Sequence, residues 1–203
     1  MRMRKIVALI AAAAVGGGLT LSPASAATAV NRQAITWSAA QTAKASKFVD
    51  EVYIEADGAT SGHWRLGTAN GRTTNNTVLA LGQARANNAS QRWIMSKTVE
   101  TDYGDGLVFS LATNPDLCLT RLSTSKGQLL NAYECSGANM PYSNLWRFDF
   151  NYGTNNYELV PVGPDGGTLC VDIKGGKFAD ETRIQLWTCN NTKAQVWKAY
   201  SVY

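Results

Sequence analysis

The chain has 203 residues, with 19 Lys and Arg against 15 Asp and Glu; 45% of its residues are hydrophobic and six are Trp. So little charge beside so much aromatic content excludes a disordered tail, and 18 Gly without a three-residue period exclude a collagen-like chain, so a folded domain is expected. The net charge of +4 is concentrated at the start, because Arg2, Arg4 and Lys5 hold three of those four charges.

Those basic residues lead into the apolar run Ile6 to Val15, and the segment closes with Pro23-Ala24-Ser25-Ala26-Ala27. A basic start, an apolar middle and a small-residue end are the parts of a secretory signal peptide, so residues 1–26 are expected to be cleaved after Ala26 and the protein to be secreted. A membrane anchor is the competing reading, but the apolar core is about half of the roughly 20 residues that a spanning helix needs. The remainder carries a net charge of +1. Nucleic acid and anionic membranes demand a clustered basic excess, so neither nucleic-acid binding nor membrane insertion is expected.

Residues 27–33 form a short arm, and Ala34-Ile35-Thr36-Trp37 is read as the strand that opens the folded part. Ser38 and Gln41 offer a helix capping box as the alternative there. From this point the chain repeats itself. Gln91-Arg92-Trp93, Asn144-Leu145-Trp146 and Gln195-Val196-Trp197 each place an amide two residues before a Trp, at spacings of 53 and 51 residues. Upstream of each lies the same order of short apolar runs. The first unit has Val52 to Ala56, a turn at Asp57-Gly58, His63 to Leu66 and Thr77 to Gly82. The second has Leu107 to Leu111, a turn at Thr113-Asn114-Pro115-Asp116, Leu117 to Thr120 and Gln128 to Cys135. The third has Tyr157 to Val162, a turn at Gly163 to Gly167, Thr168 to Ile173 and Arg183 to Cys189. Runs of this length bounded by Gly, Pro, Asn or Asp read as strands and tight turns. Three four-strand units of about 50 residues point to a closed all-β structure with pseudo-threefold symmetry, since closure removes sheet edges. A solenoid is the alternative, but three units without a distinct capping repeat fit it poorly. The units run over about 34–93, 94–146 and 147–203.

Export changes the meaning of the four cysteines, since an oxidising compartment lets an even number pair. Three pairings are open. Cys118 with Cys135 and Cys170 with Cys189 close two similar loops, in the second and third units. A zinc site is the rival, but there is no CxxC pair and His63 is the single histidine, so no metal and no cofactor are expected.

On these residues the chain resembles the ricin B-chain-like, or R-type, lectin β-trefoil family. The resemblance rests on the three QxW-type motifs and on Cys170-Val171-Asp172-Ile173 and Ile184-Gln185-Leu186-Trp187-Thr188-Cys189. It implies a six-stranded barrel capped by three hairpins, with Trp93, Trp146 and Trp197 in the core and the Gln amides fixing nearby backbone. It implies glycan or polysaccharide as the partner.

A neutral sugar offers hydroxyls at its edges and C–H patches on its faces, and is held by a carboxylate or amide together with an aromatic ring. In the third unit the resemblance gives these parts to Asp172, Gln185 and Trp187, with Gln195 of the QxW motif behind them. Gln185 and Trp187 alternate on one strand and so share a face. Family sites often carry Asn immediately before the QxW Gln. Here that position is Ala194, and Asn190 or Asn191 is the substitute. The bland reading makes Asp172 a turn cap and Trp187 a core residue. The second unit has a weaker set, Thr120, Asn131, Tyr133 and Asn144, in which a hydroxyl replaces the carboxylate and lacks its charge assistance. The first unit has Gly67 and Gly82 near the Asp and aromatic positions and reads as structural.

Catalysis is not expected. The acidic residues Asp57, Asp102, Asp105, Asp116 and Asp165 fall in turns, where Asp is favoured for turn chemistry alone. His63 has no nucleophile-elbow motif to serve, and Asp102 to Gly106 fails the spacing of a calcium-binding EF-hand loop. Asn75, Asn88 and Asn190 lie in glycosylation sequons. The alternative to a glycan binder is a trefoil that binds a protein, such as an inhibitor or toxin-complex subunit.

Overall fold

The computed structural model describes residues 50–202, apart from 86, 97, 136–141, 165 and 166. The signal segment and the strand expected at 34–37 lie outside the described residues. Between them the described residues form twelve strands, four to a repeat. The first repeat holds β1 (Asp50–Ala56), β2 (Trp64–Thr68), β3 (Thr77–Gln83) and β4 (Trp93–Met95). The second holds β5 (Phe109–Leu111), β6 (Asn114–Arg121), β7 (Leu130–Glu134) and β8 (Trp146–Asn151). The third holds β9 (Asn156–Pro161), β10 (Leu169–Ile173), β11 (Ile184–Thr188) and β12 (Trp197–Ser201).

The first and fourth strands of each repeat make a closed ring. Strand β1 pairs antiparallel with both β12 and β4, β4 pairs with β5, and β8 pairs with β9. Bridges between Leu107 and Trp146 and between Glu158 and Val196 complete the circuit. The second and third strands form hairpins, β2–β3, β6–β7 and β10–β11. These hairpins meet pairwise over one end: Thr77 and Val78 pair with Ala132 and Asn131, Leu129 bridges Gln185, and Arg183 bridges Ala80. The molecule is all-β, with six barrel strands and three capping hairpins, which is a β-trefoil.

The pattern of inward side chains explains why these residues choose strands. Along β1, Val52, Ile54 and Ala56 are buried while their neighbours are only half-buried, the period-2 signature of a strand with one face in the core. Trp93, Trp146 and Trp197 each open the fourth strand of a repeat, and none has any exposed surface. A buried indole needs an acceptor for its N–H. Each finds the same one: Trp93 donates to the Leu66 carbonyl at 3.1 Å, Trp146 to Leu119 at 2.8 Å and Trp197 to Val171 at 2.8 Å. The core position expected of the three QxW tryptophans is therefore what the structure shows.

Both expected disulfides are formed, Cys118–Cys135 and Cys170–Cys189, with Cα atoms 4.9 and 5.0 Å apart. Each ties the start of a capping hairpin to the residue just past its end. One turn differs from expectation. The second repeat turns at residues 112–113, and Asn114-Pro115-Asp116 already belongs to β6. The register shifts there, with Leu111 opposite Asn114 but Ser110 opposite Cys118. Pro115 has no N–H for a ladder, and it is accommodated because this irregular start of the strand is exposed.

Candidate sugar-binding site

The register of the hairpins puts equivalent positions of the three repeats side by side. Asp172 lies opposite Gln185 and Cys170 opposite Trp187 in the third repeat. The same places hold Thr120 with Asn131 and Cys118 with Tyr133 in the second. In the first they hold Gly67 with Ala80 and Arg65 with Gly82.

In the third repeat the expected residues converge. Gln185 donates its amide N–H to Asp172 Oδ1 at 2.9 Å, and Gln195 donates to Asp172 Oδ2 at 3.1 Å. Asp172 is only 5% exposed. Burial pushes its carboxyl above the ordinary aspartate value, and the Gln185 and Gln195 amides pull it partly back. Each carboxylate oxygen accepts one of these bonds, so lone pairs remain on both for a ligand hydroxyl. Gln195 is itself fixed: its Nε2 also donates to the Thr188 carbonyl at 3.0 Å, and its Oε1 accepts from the Asn190 backbone N–H at 2.8 Å. The QxW amide thus braces both the strand end and the carboxylate.

The two asparagines after Cys189 are used locally. Asn190 Oδ1 accepts from the backbone N–H of Thr192 at 3.3 Å and from its hydroxyl at 2.8 Å. Asn191, in the left-handed region at φ 59°, accepts from the Asn151 amide. Neither hydrogen-bonds to Asp172, Gln185 or Gln195 through its side chain.

Trp187 is half-buried, opposite the disulfide-bonded Cys170. Its surroundings hold a residue that sequence reasoning missed. The Lys126 ammonium sits over the indole, 4.1 Å from the ring centroid. Lys126 belongs to the loop of the second repeat's hairpin, and no local pattern links it to a Trp sixty-one residues later.

The second repeat lacks this arrangement. Thr120 is fully buried and its hydroxyl donates to the Cys118 carbonyl at 2.9 Å. Asn131 is in hydrogen-bond contact with the Asn76 side chain of the first repeat at 3.0 Å. Tyr133 is half-buried. Asn144 does keep the QxW role, donating to the Cys135 carbonyl at 2.8 Å.

In the first repeat a cleft of about 360 Å³ is lined by Gly67, Gly82, Gln91, Asp180 and Glu181, among others. The room exists because glycines replace the carboxylate and the aromatic. A Cβ at Gly82 would lie 2.6 Å from Gln91 Nε2, and one at Gly67 would lie 2.9 Å from Gln91 Cγ. The glycines thus let the Gln91 amide lie against the hairpin and donate to the Gln83 carbonyl at 3.1 Å. No aromatic ring lines this cleft. The cleft has room but no ring among its described lining, whereas the third repeat carries a carboxylate, two amides and a half-buried indole.

A family model of the ricin-type beta-trefoil lectin domain matches residues 106–202, which contain the second and third repeats. That segment is similar to the ricin-type β-trefoil lectin domain. Solved structures extend the likeness to the first repeat. The designed threefold-symmetric protein ThreeFoil is 17% identical, covering 75% of this chain and 99% of that one, with a TM-score of 0.60. The agglutinin of Rhizoctonia solani is 13% identical over 76% of this chain and 96% of its own, at 0.57. The β-trefoil lectin of the Vibrio vulnificus hemolysin/cytolysin, solved with N-acetyl-D-lactosamine bound, is 18% identical over 75% and 95%, at 0.53. At these identities the structures establish the β-trefoil fold alone. No curated protein matches the sequence.

Proposed function

We propose that the protein is a secreted, non-catalytic lectin that binds galactose-type sugars or plant or cell-wall polysaccharide mainly through its third repeat. The observation that carries this reading is the Asp172 carboxylate, buried yet held open by two amide donors on the hairpin that carries Trp187. Any buried carboxylate needs donors; what favours a ligand here is that the two amides leave lone pairs over on both oxygens. A hydroxyl-rich ligand supplies the missing donors, and the exposed part of the indole supplies an apolar surface for a sugar's C–H face. The same hairpin in the second repeat has its hydroxyl turned onto its own backbone, and in the first it has glycine. One shallow site of this kind holds a monosaccharide weakly, in roughly the millimolar range.

The match of residues 106–202 to the ricin-type lectin model supports carbohydrate binding in general, and ricin-type lectin domains are generally non-catalytic. Secretion rests on the leader-like residues 1–26.

A glycan array followed by calorimetric titration of the best ligand tests the assignment. Trp187→Ala and Asp172→Ala are each expected to weaken binding at least tenfold. No binding by the wild type, or wild-type affinity retained in both variants, overturns it.

A further inference from the structure

We infer that Lys126 sets the specificity of the third-repeat site and that the preferred ligand is an acidic saccharide, one whose anionic group lies beside the ring face stacked on Trp187. This rests on the third-repeat reading above and names its ligand class.

The position of Lys126 is built rather than incidental. The loop that carries it is stitched to the strand bearing Trp187. Gly127 donates its backbone N–H to the Leu186 carbonyl at 2.7 Å, and Leu186 donates back to Gln128 at 2.8 Å. Leu129 then bridges Gln185. Gly127 adopts φ +86°, in the left-handed region that favours glycine, and a Cβ there would touch Trp187 Cζ3 at 3.8 Å. Within the loop, Ser123 donates to the Gln128 side chain at 2.9 Å and Gln128 donates its backbone N–H to Ser125 at 3.1 Å. The backbone on the C-terminal side of Lys126 is therefore fixed against β11, and its ammonium is delivered onto the indole.

That placement discriminates between ligands. A neutral sugar that stacks on the covered face displaces the ammonium and forfeits the cation–π contact, which is worth about 0.5–1 kcal/mol at an exposed site. An anionic sugar forfeits less, because the displaced ammonium swings to the rim and pairs with the carboxylate or sulfate. A ligand on the opposite face of the ring has the indole between it and the ammonium, which sits 4.1 Å above the ring centroid, so its anionic group must reach the ring edge to meet that charge. Asp172 keeps its negative charge while it accepts from the Gln185 and Gln195 amides, so the anionic group of the ligand is expected on the Lys126 side of the ring, away from that carboxylate.

The test compares D-galacturonate, galactose 6-sulfate and D-galactose by calorimetry with the full chain at low salt. The wild type is expected to prefer the acidic sugars about threefold to fivefold, as for an exposed ion pair, and to lose the preference in 0.5 M NaCl, where charges are screened. Lys126→Gln is expected to abolish the preference while keeping or slightly raising the affinity for galactose. The better of the two acids tells a carboxylate source from a sulfate source. Equal affinity for acidic and neutral sugars in the wild type, or an unchanged ratio in Lys126→Gln, overturns this inference and leaves the site assignment standing. Failure of all three sugars to bind the wild type overturns both.

Discussion

The indole N–H of Trp146 meets the carbonyl oxygen of Leu119 at 2.8 Å, with both residues at zero exposure. The bond spans twenty-seven residues, crosses from the barrel to its capping hairpin, and recurs in the other two repeats. It ties each cap to the barrel through a polar contact inside the core. Trp146→Phe keeps an aromatic body but strands the Leu119 carbonyl, at a cost of about 1–3 kcal/mol. Urea denaturation is expected to show a lower midpoint with an unchanged slope.

Asp172 makes a signed prediction about pH. Its carboxyl is raised by burial, so the folded chain holds that proton more tightly than the unfolded chain does. Stability contributed by this group therefore increases as pH falls through the interval between the ordinary and the raised value, and is constant below both. Ligand binding moves the opposite way, because protonation removes acceptor lone pairs. Thermal melts and titrations from pH 7 to pH 4 are expected to show binding lost on acidification, and Asp172→Asn is expected to flatten its share of both profiles.

The disulfides close loops with separations of 17 and 19 residues. Each stabilises the fold by about 3 kcal/mol if restriction of the unfolded chain governs. Reduction is expected to lower the melting temperature, and mass mapping under oxidising conditions should find no free thiol. The double Ser variant of Cys170 and Cys189 is expected to weaken sugar binding as well, since that bridge anchors the hairpin bearing Asp172 and Trp187. The matching variant of Cys118 and Cys135 should lose stability alone.

Gly58 tests how the repeats lock together. A Cβ there would stand 2.0 Å from the Lys193 carbonyl oxygen, which is backbone and cannot swing away. Next to it Asp57 donates its N–H to the Val196 carbonyl at 3.0 Å. Gly58→Ala is expected to cost about 1–3 kcal/mol, as overpacking does, whereas Gly175→Ala, with nothing within 4 Å but φ +69°, pays for backbone strain alone. Paired unfolding curves check the difference.

What could be read from the sequence was what is local. The QxW triplets, the short apolar run Val52 to Ala56 and the grouping of Asp172, Gln185 and Trp187 each lie within one repeat, where periodicity and register are set by neighbouring residues. The turn at 113–116 was misplaced because Asn-Pro-Asp is turn chemistry by composition, while the structure uses it as the irregular start of β6. Lys126 over Trp187, and Asp180 accepting from the Gln83 N–H at 2.7 Å, were invisible for another reason. Both join different repeats, and the hairpins that bring them together meet only once the caps have docked.

Strand β1 finds its long partner in β12, with Val52 beside Ser201 and Ala56 beside Trp197. Among the described residues the first barrel strand thus waits for the last, and the ring closes only when both are present. Loss of either strand would breach the same seam, so the two ends of the described fold are interdependent.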